Sequence, residues 1–90
     1  MFKKGRKNGT VRFSTTAGDA KKVFLAGDFT DWTLVRMRKG KGGVFAATVP
    51  LENGAHEYKF VVDGRWLTDP DNDGYALNPY GTLNSVVVVE

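Results

Sequence analysis

Short apolar runs recur along the chain, each closed by Gly, Asp or Asn: TVRFST, KVFLAG, LVRMR, GVFAATV, AHEYKFVV, RWL and LNSVVVV. The punctuation between them is AGD at 17–19, GKGG at 40–43, ENG at 52–54 and DG at 63–64. No segment sustains a 3.6-residue period, and β-branched and aromatic residues dominate the runs. This pattern predicts about seven short strands in an all-β, immunoglobulin-like antiparallel sandwich.

The segment EYKFVVDGRW predicts one hairpin in detail. Asp63-Gly64 is a two-residue type I′ turn signal. A two-residue loop sets Val62 opposite Arg65, Val61 opposite Trp66, Phe60 opposite Leu67 and Lys59 opposite Thr68. Directly opposed residues share a face, and faces alternate along each strand. Tyr58, Phe60 and Leu67 then form the core face, with His56 on the same side. Lys59, Val61, Trp66 and Thr68 look outward, and an outward Trp beside Lys and Thr is the signature of a binding surface. Trp32 lies past the end of the KVFLAG strand, on a turn whose packing the pattern leaves open. The four valines at 86–89 carry no alternation, so the face of the residues before them is open too.

Composition narrows the field. Ninety residues, 41% of them hydrophobic and 12% aromatic, supply one small core. No apolar run approaches the roughly 20 residues of a membrane span, and the N-terminus has no apolar stretch behind its charges, so neither a membrane anchor nor a secretory signal is expected. The absence of cysteine excludes disulfides and thiolate chemistry and suits a cytoplasmic protein. Of the 13 basic residues, Lys3, Lys4, Arg6 and Lys7 stand near the start, and the remainder nearly balances the ten acidic ones. The net charge of +3 is therefore read as a basic flexible tail over 1–9, followed by a near-neutral domain over 10–90. A solvated terminus explains the tail without a nucleic-acid partner. The cluster Arg36, Arg38, Lys39 and Lys41 is read as charge on an exposed strand.

DPDNDG at 69–74 resembles the start of a calcium loop, with oxygen-bearing side chains at positions 1, 3 and 5 and a glycine at 6. Position 12, which should be a bidentate Glu, is Tyr80; Pro70 sits at position 2, and strands flank the segment. It is read as a turn, with no metal and no cofactor. His56 is the one histidine, which removes histidine-based triads and multi-histidine metal sites. The carboxylates are scattered over turns, and a sandwich of this size offers no cleft to shift their pKa values. GKGG lacks the strand–loop–helix setting of a phosphate loop. No enzymatic activity is expected.

VFLAGDFTDW, then HEYKFVVDGRWLTDPDNDG, then YGTLNSVVVV, in this order and spacing, resemble carbohydrate-binding modules of glycogen-branching and isoamylase-type enzymes. The likeness is greatest to the glycogen-binding domain of AMP-activated protein kinase β subunits, and it runs from about Thr10 to Glu90. It implies an early-set sandwich that binds α-1,4-linked glucans without catalysis, with a glucan-active enzyme or a kinase as a possible associate. It also implies roles for residues. Trp32 and Trp66 would stack on glucose rings, Lys59, Thr82 and Asn84 would hydrogen-bond hydroxyls, and Tyr80 would stand where the family loop has leucine. The chemistry is coherent, since a glucopyranose ring is apolar on its faces and polar round its rim. The rival expectation is a structural or protein-interaction sandwich that has kept the fold without the sugar.

Overall fold

A computed structural model describes the backbone of residues 2–4 and residues 9–72 and 74–90 in full. Among the described residues ten strands form two antiparallel sheets. One has the order β1 (Phe2–Lys4), β2 (Thr10–Thr16), β6 (Val44–Pro50) and β5 (Arg38–Lys39). The other runs β4 (Val35–Arg36), β3 (Val23–Gly27), β7 (Gly54–Val62), β10 (Leu83–Val89) and β9 (Tyr75–Leu77), with β8 (Arg65–Leu67) on β7 alone. The two sheets face each other as an immunoglobulin-like, early-set sandwich. Among the described residues no helix is long and apolar enough to cross a membrane.

All seven expected strands form. LVRMR splits into β4 and β5 because the chain changes sheets at Met37, whose side chain is buried and whose N–H donates to the Val23 carbonyl at 2.9 Å. β9 escapes pattern reading because it is three residues long and mostly exposed. Within the segment read as a tail, Phe2–Lys4 pairs along β2, with Lys3 opposite Arg12. Arg6 and Lys7 lie outside the described residues, as does Asp73 of DPDNDG.

The core lies between the sheets. Val11 and Phe13 of β2, Leu25 of β3, Tyr58 and Phe60 of β7 and Val87 of β10 are all sealed from solvent. Its aromatic centre is a chain of rings: Phe29 stacks on Phe13 at 5.6 Å, and Tyr58 meets both Phe13 (4.8 Å) and Phe60 (5.7 Å) edge-on. Burying such rings supplies most of the favourable free energy of a domain without disulfides.

The β7–β8 hairpin has the expected register from Val62–Arg65 to Phe60–Leu67, and ends there. Two details differ. Leu67, expected in the core, is 40% exposed, because β8 is a three-residue flap paired only to β7. Val61, expected on the surface, is on that outer face yet buried, since Phe24 and Trp66 are its direct partners on either side. The outer face thus has a small apolar cluster of its own, and Trp66 is seated on it.

The start of DPDNDG, residues 69–72, forms a turn tied to the core. The buried Asp69 carboxylate accepts from the Tyr58 hydroxyl at 2.7 Å and from the Asp71 N–H at 2.9 Å, and the Asp69 N–H donates to Ser85 Oγ at 2.8 Å. Asn72 donates to the Tyr58 hydroxyl and the Val86 carbonyl, and accepts from the Gly74 N–H. Burial first, and the Asp69 hydrogen bond second, push the Tyr58 phenol far above the usual tyrosine range. The hydroxyl is therefore a donor at any physiological pH.

Candidate functional site

The outer face of the β3–β7–β10 sheet holds an open groove of about 580 Å³. Trp32, Lys59, Trp66, Tyr80, Thr82 and Asn84 all line it. Sequence reasoning left the face of Asn84 open. The register Ser85–Tyr58 settles it, since Tyr58 points to the core and the residue before Ser85 therefore shares the side of Lys59. Asp28, Glu57, Leu77, Asn78 and Pro79 complete the lining.

Trp32 is placed by the turn at 27–32. Phe29 plugs the sandwich end against Phe13, with the His56 ring edge-on at 6.0 Å. Gly27 N–H donates to Thr30 Oγ1 at 3.1 Å, and that hydroxyl lies 3.0 Å from the Gly27 carbonyl and 2.9 Å from the Thr33 carbonyl. The Trp32 N–H closes the turn on the Gly27 carbonyl at 2.9 Å. Asp31 (φ 52°) and Trp32 (φ 60°) both adopt left-handed backbone. A bulky residue there stores strain of order 1 kcal/mol, held by the surrounding bonds. The result is a Phe inside and a Trp outside from one short segment.

Gly27 makes the arrangement possible through space. A Cβ there would lie 2.5 Å from a Phe29 ring carbon and 2.6 Å from the Glu57 carbonyl oxygen. Gly27→Ala is expected to cost about 2 kcal/mol, as overpacking of a tight site does. A thermal melt checks this, and an unchanged melting temperature would refute it.

The opposite wall is a polar network. Asn78 Oδ1 accepts from the N–H groups of Tyr80 (3.0 Å) and Thr82 (3.1 Å), while its amide donates to Thr82 Oγ1 (2.6 Å) and Asn84 Oδ1 (3.1 Å). Every bonding position of the Asn78 amide is used. Gly81 at φ 82° supplies the left-handed residue of the loop. Lys59 Nζ donates to Thr82 Oγ1 at 3.2 Å, so that oxygen accepts twice and its proton remains for a ligand. Asn84, only 4% exposed, donates to Glu57 Oε1 at 3.0 Å and forms part of the groove floor. Glu57 in turn is anchored through its N–H, which donates to Asp28 Oδ2 at 3.0 Å. Tyr80 stands at the loop tip, 91% exposed.

Sequence reasoning missed Asn78 and Glu57, the two residues that hold the network together. The signal for Asn78 was present in NPYG, which opens on the turn dipeptide Asn-Pro, whose Asn commonly bonds backbone N–H groups two residues on. Trp32 and Trp66 are 38% and 49% exposed, which is unusual for two large indoles in so small a domain, and both line the groove. The arrangement offers flat apolar surfaces flanked by a lysine, a hydroxyl and amides. It suits a ligand with apolar faces and a polar rim.

Residues 10–90 match the sequence profile of a family described as the glycogen recognition site of AMP-activated protein kinase. The chain is similar to the β-1 subunit of 5'-AMP-activated protein kinase from Sus scrofa, at 34% identity over 73 residues, 81% of this chain and 58% of that protein. Against the Homo sapiens β-1 subunit the identity is also 34% over 73 residues, 81% of this chain and 26% of that one. Against the Mus musculus β-2 subunit it is 37% over 71 residues, 78% of this chain and 26% of that one. The chain thus spans little more than half of the pig sequence and about a quarter of the others. Among solved structures, a maltogenic amylase from S. marinus superposes on all of this chain with a TM-score of 0.79 and 26% identity, over 16% of the amylase.

Proposed function

We propose, from the premise that this chain belongs to the glycogen-recognition family of AMP-activated protein kinase, that it is a non-catalytic module that binds α-1,4-linked glucan chains in the groove between Trp32 and Trp66. The observation that carries the reading is the convergence of two half-exposed indoles with Lys59, Thr82 and Asn84 on one open groove. Glucose rings stack on Trp32 and Trp66. Lys59 and the Thr82 hydroxyl meet sugar hydroxyls, Asn84 braces the floor, and Tyr80 closes over the chain from the loop tip. Residues 10–90 act as the unit. The relatives are kinase subunits and the structural neighbour is an amylase. By that analogy the module brings an associated kinase or glucan-active enzyme to the polysaccharide.

Two aromatic anchors on an open groove with few polar contacts correspond to micromolar-to-millimolar affinity. Repetition along a polymer offsets this weakness by raising the effective concentration. The chain has only two tryptophans, and both line the groove, so intrinsic fluorescence reads the site directly. Titration with maltoheptaose or β-cyclodextrin is expected to give a saturable change, and cellohexaose is expected to give none. A flat response to the α-glucans up to about 10 mM, beyond that affinity range, removes glucan binding and leaves the groove to a protein partner.

Asn78 gives a finer test, because it touches neither indole ring in the hydrogen-bond scheme yet orders the loop. Asn78→Ala is expected to weaken maltoheptaose binding about fivefold, equivalent to roughly one hydrogen bond's worth of order. The same titration measures it, and unaltered affinity would show that loop order is irrelevant to binding.

A further inference from the structure

Away from the glucan groove, β2, β5 and β6 of one sheet and β4 of the other line a second, chemically different groove of about 830 Å³. Its cations are Arg12, Arg36, Arg38, Lys39 and Lys41, and no carboxylate lines it among the described residues. The charged side chains are exposed. A neighbouring cleft shares Arg36, Arg38 and Lys39 and adds Lys21 and Lys22. Such a concentration of one sign on a domain whose charges nearly balance overall is unfavourable by itself, and is relieved by an anionic partner.

The floor of this groove includes Ala46, Ala47 and Thr48 of β6, and β6 has an open edge there. β2 pairs with β6 along its whole length, from Val44 to Pro50. On the other side β5 covers only Phe45 and Ala46, because the chain leaves for the second sheet at Met37. Among the described residues no strand takes the place of β5 beside 47–49. An open strand edge pairs with an extended peptide, and the side chains around it choose which peptide. Here the surrounding cations repel a second copy of this edge and favour a segment bearing carboxylates. No aromatic side chain lines the groove, so it offers single-stranded nucleic acid no stacking platform.

We propose that this face binds an extended acidic polypeptide segment. The segment pairs as a strand with β6 beside 47–49 while its carboxylates meet Arg12, Arg36 and Arg38. Guanidinium groups suit the role because they bind carboxylates in a planar, two-pronged fashion. The inference is independent of the glucan reading, since the two grooves share no lining residue.

The test uses the full chain and a labelled heptapeptide of alternating Glu and Val, followed by fluorescence anisotropy at low salt. The expected result is saturable binding that weakens as salt screens the charges, with slowed amide hydrogen exchange at 47–49. The double variant Arg36→Glu, Arg38→Glu is expected to reduce affinity at least about tenfold and to leave the maltoheptaose titration unchanged. Should that variant fail to fold, Lys41→Glu, which lies outside every strand, is expected to weaken binding a few-fold. Three results would overturn the proposal: no peptide binding up to about 1 mM, binding without added protection at 47–49, or tighter binding of a short DNA duplex that displaces the peptide. The last would assign the face to a phosphate backbone.

Discussion

Asp69→Ala is expected to lower the melting temperature by roughly 15 °C, the equivalent of about 3 kcal/mol in a domain of this size. The carboxylate accepts from the Tyr58 hydroxyl and the Asp71 N–H inside the protein. Its removal leaves two donors without their acceptor and opens a void beside Tyr58. Each orphaned buried donor costs about 1–3 kcal/mol. Asp69→Asn retains one acceptor oxygen and is expected to be distinctly milder. Chemical denaturation with both variants separates the two contributions, and equal stabilities for wild type and Asp69→Ala would refute the account. A pH series adds an independent check. The Tyr58 pKa is raised in the folded state, so its contribution is fully present below the unfolded value of about 10 and declines above it. The decline is at most about 1.4 kcal/mol per pH unit. Tyr58→Phe is expected to remove that part of the alkaline loss.

Trp66→Ala is expected to cost about 2 kcal/mol or more of glucan affinity, roughly a thirty-fold loss. Its melting temperature should stay within a few degrees of wild type, because the indole is half exposed. Trp32→Ala is expected to reduce binding less. Trp66 stands on a strand, paired with the buried Val61, and enters the complex already ordered. Trp32 sits on a turn, and part of its gain is spent on holding that turn. Calorimetric titration of maltoheptaose into each variant ranks the two. The opposite ranking would place the dominant anchor on the turn, and wild-type affinity in Trp66→Ala would remove this residue from the site.

The sandwich and the outward position of Trp66 were legible in the sequence because Asp63-Gly64 fixes a register and parity does the rest. Parity fails where a strand lacks neighbours, as for Leu67 on its flap, and where cross-strand rings roof over an outer residue, as for Val61. It also says nothing about a loop, so the left-handed backbone of Trp32 escapes it, and of the four bonds of Asn78 the turn chemistry of NPYG signals only those from backbone N–H groups. Asn84 was unplaced from pattern alone because the valines after it do not alternate in character. Residues 69–72 of DPDNDG form a turn, yet the link of Asp69 to Tyr58 joins residues 11 apart in the chain and has no local signature. The basic cluster at 36–41 was visible as letters. What made it a groove was a strand crossing between sheets at Met37.

The turn at 27–32 packs a partly buried Phe29 against the core and exposes Trp32 on the surface, the two separated by two residues. A segment so short cannot detach at one end and remain docked at the other. Whatever grips Trp32 therefore also discourages escape of Phe29, and local opening of this end of the sandwich, the step a protease exploits, becomes rarer with occupancy. At a ligand concentration of about a hundred times Kd the protection amounts to roughly 2.7 kcal/mol. Lifetime, and not only location, would then depend on the polysaccharide: copies that drift from it would be digested first.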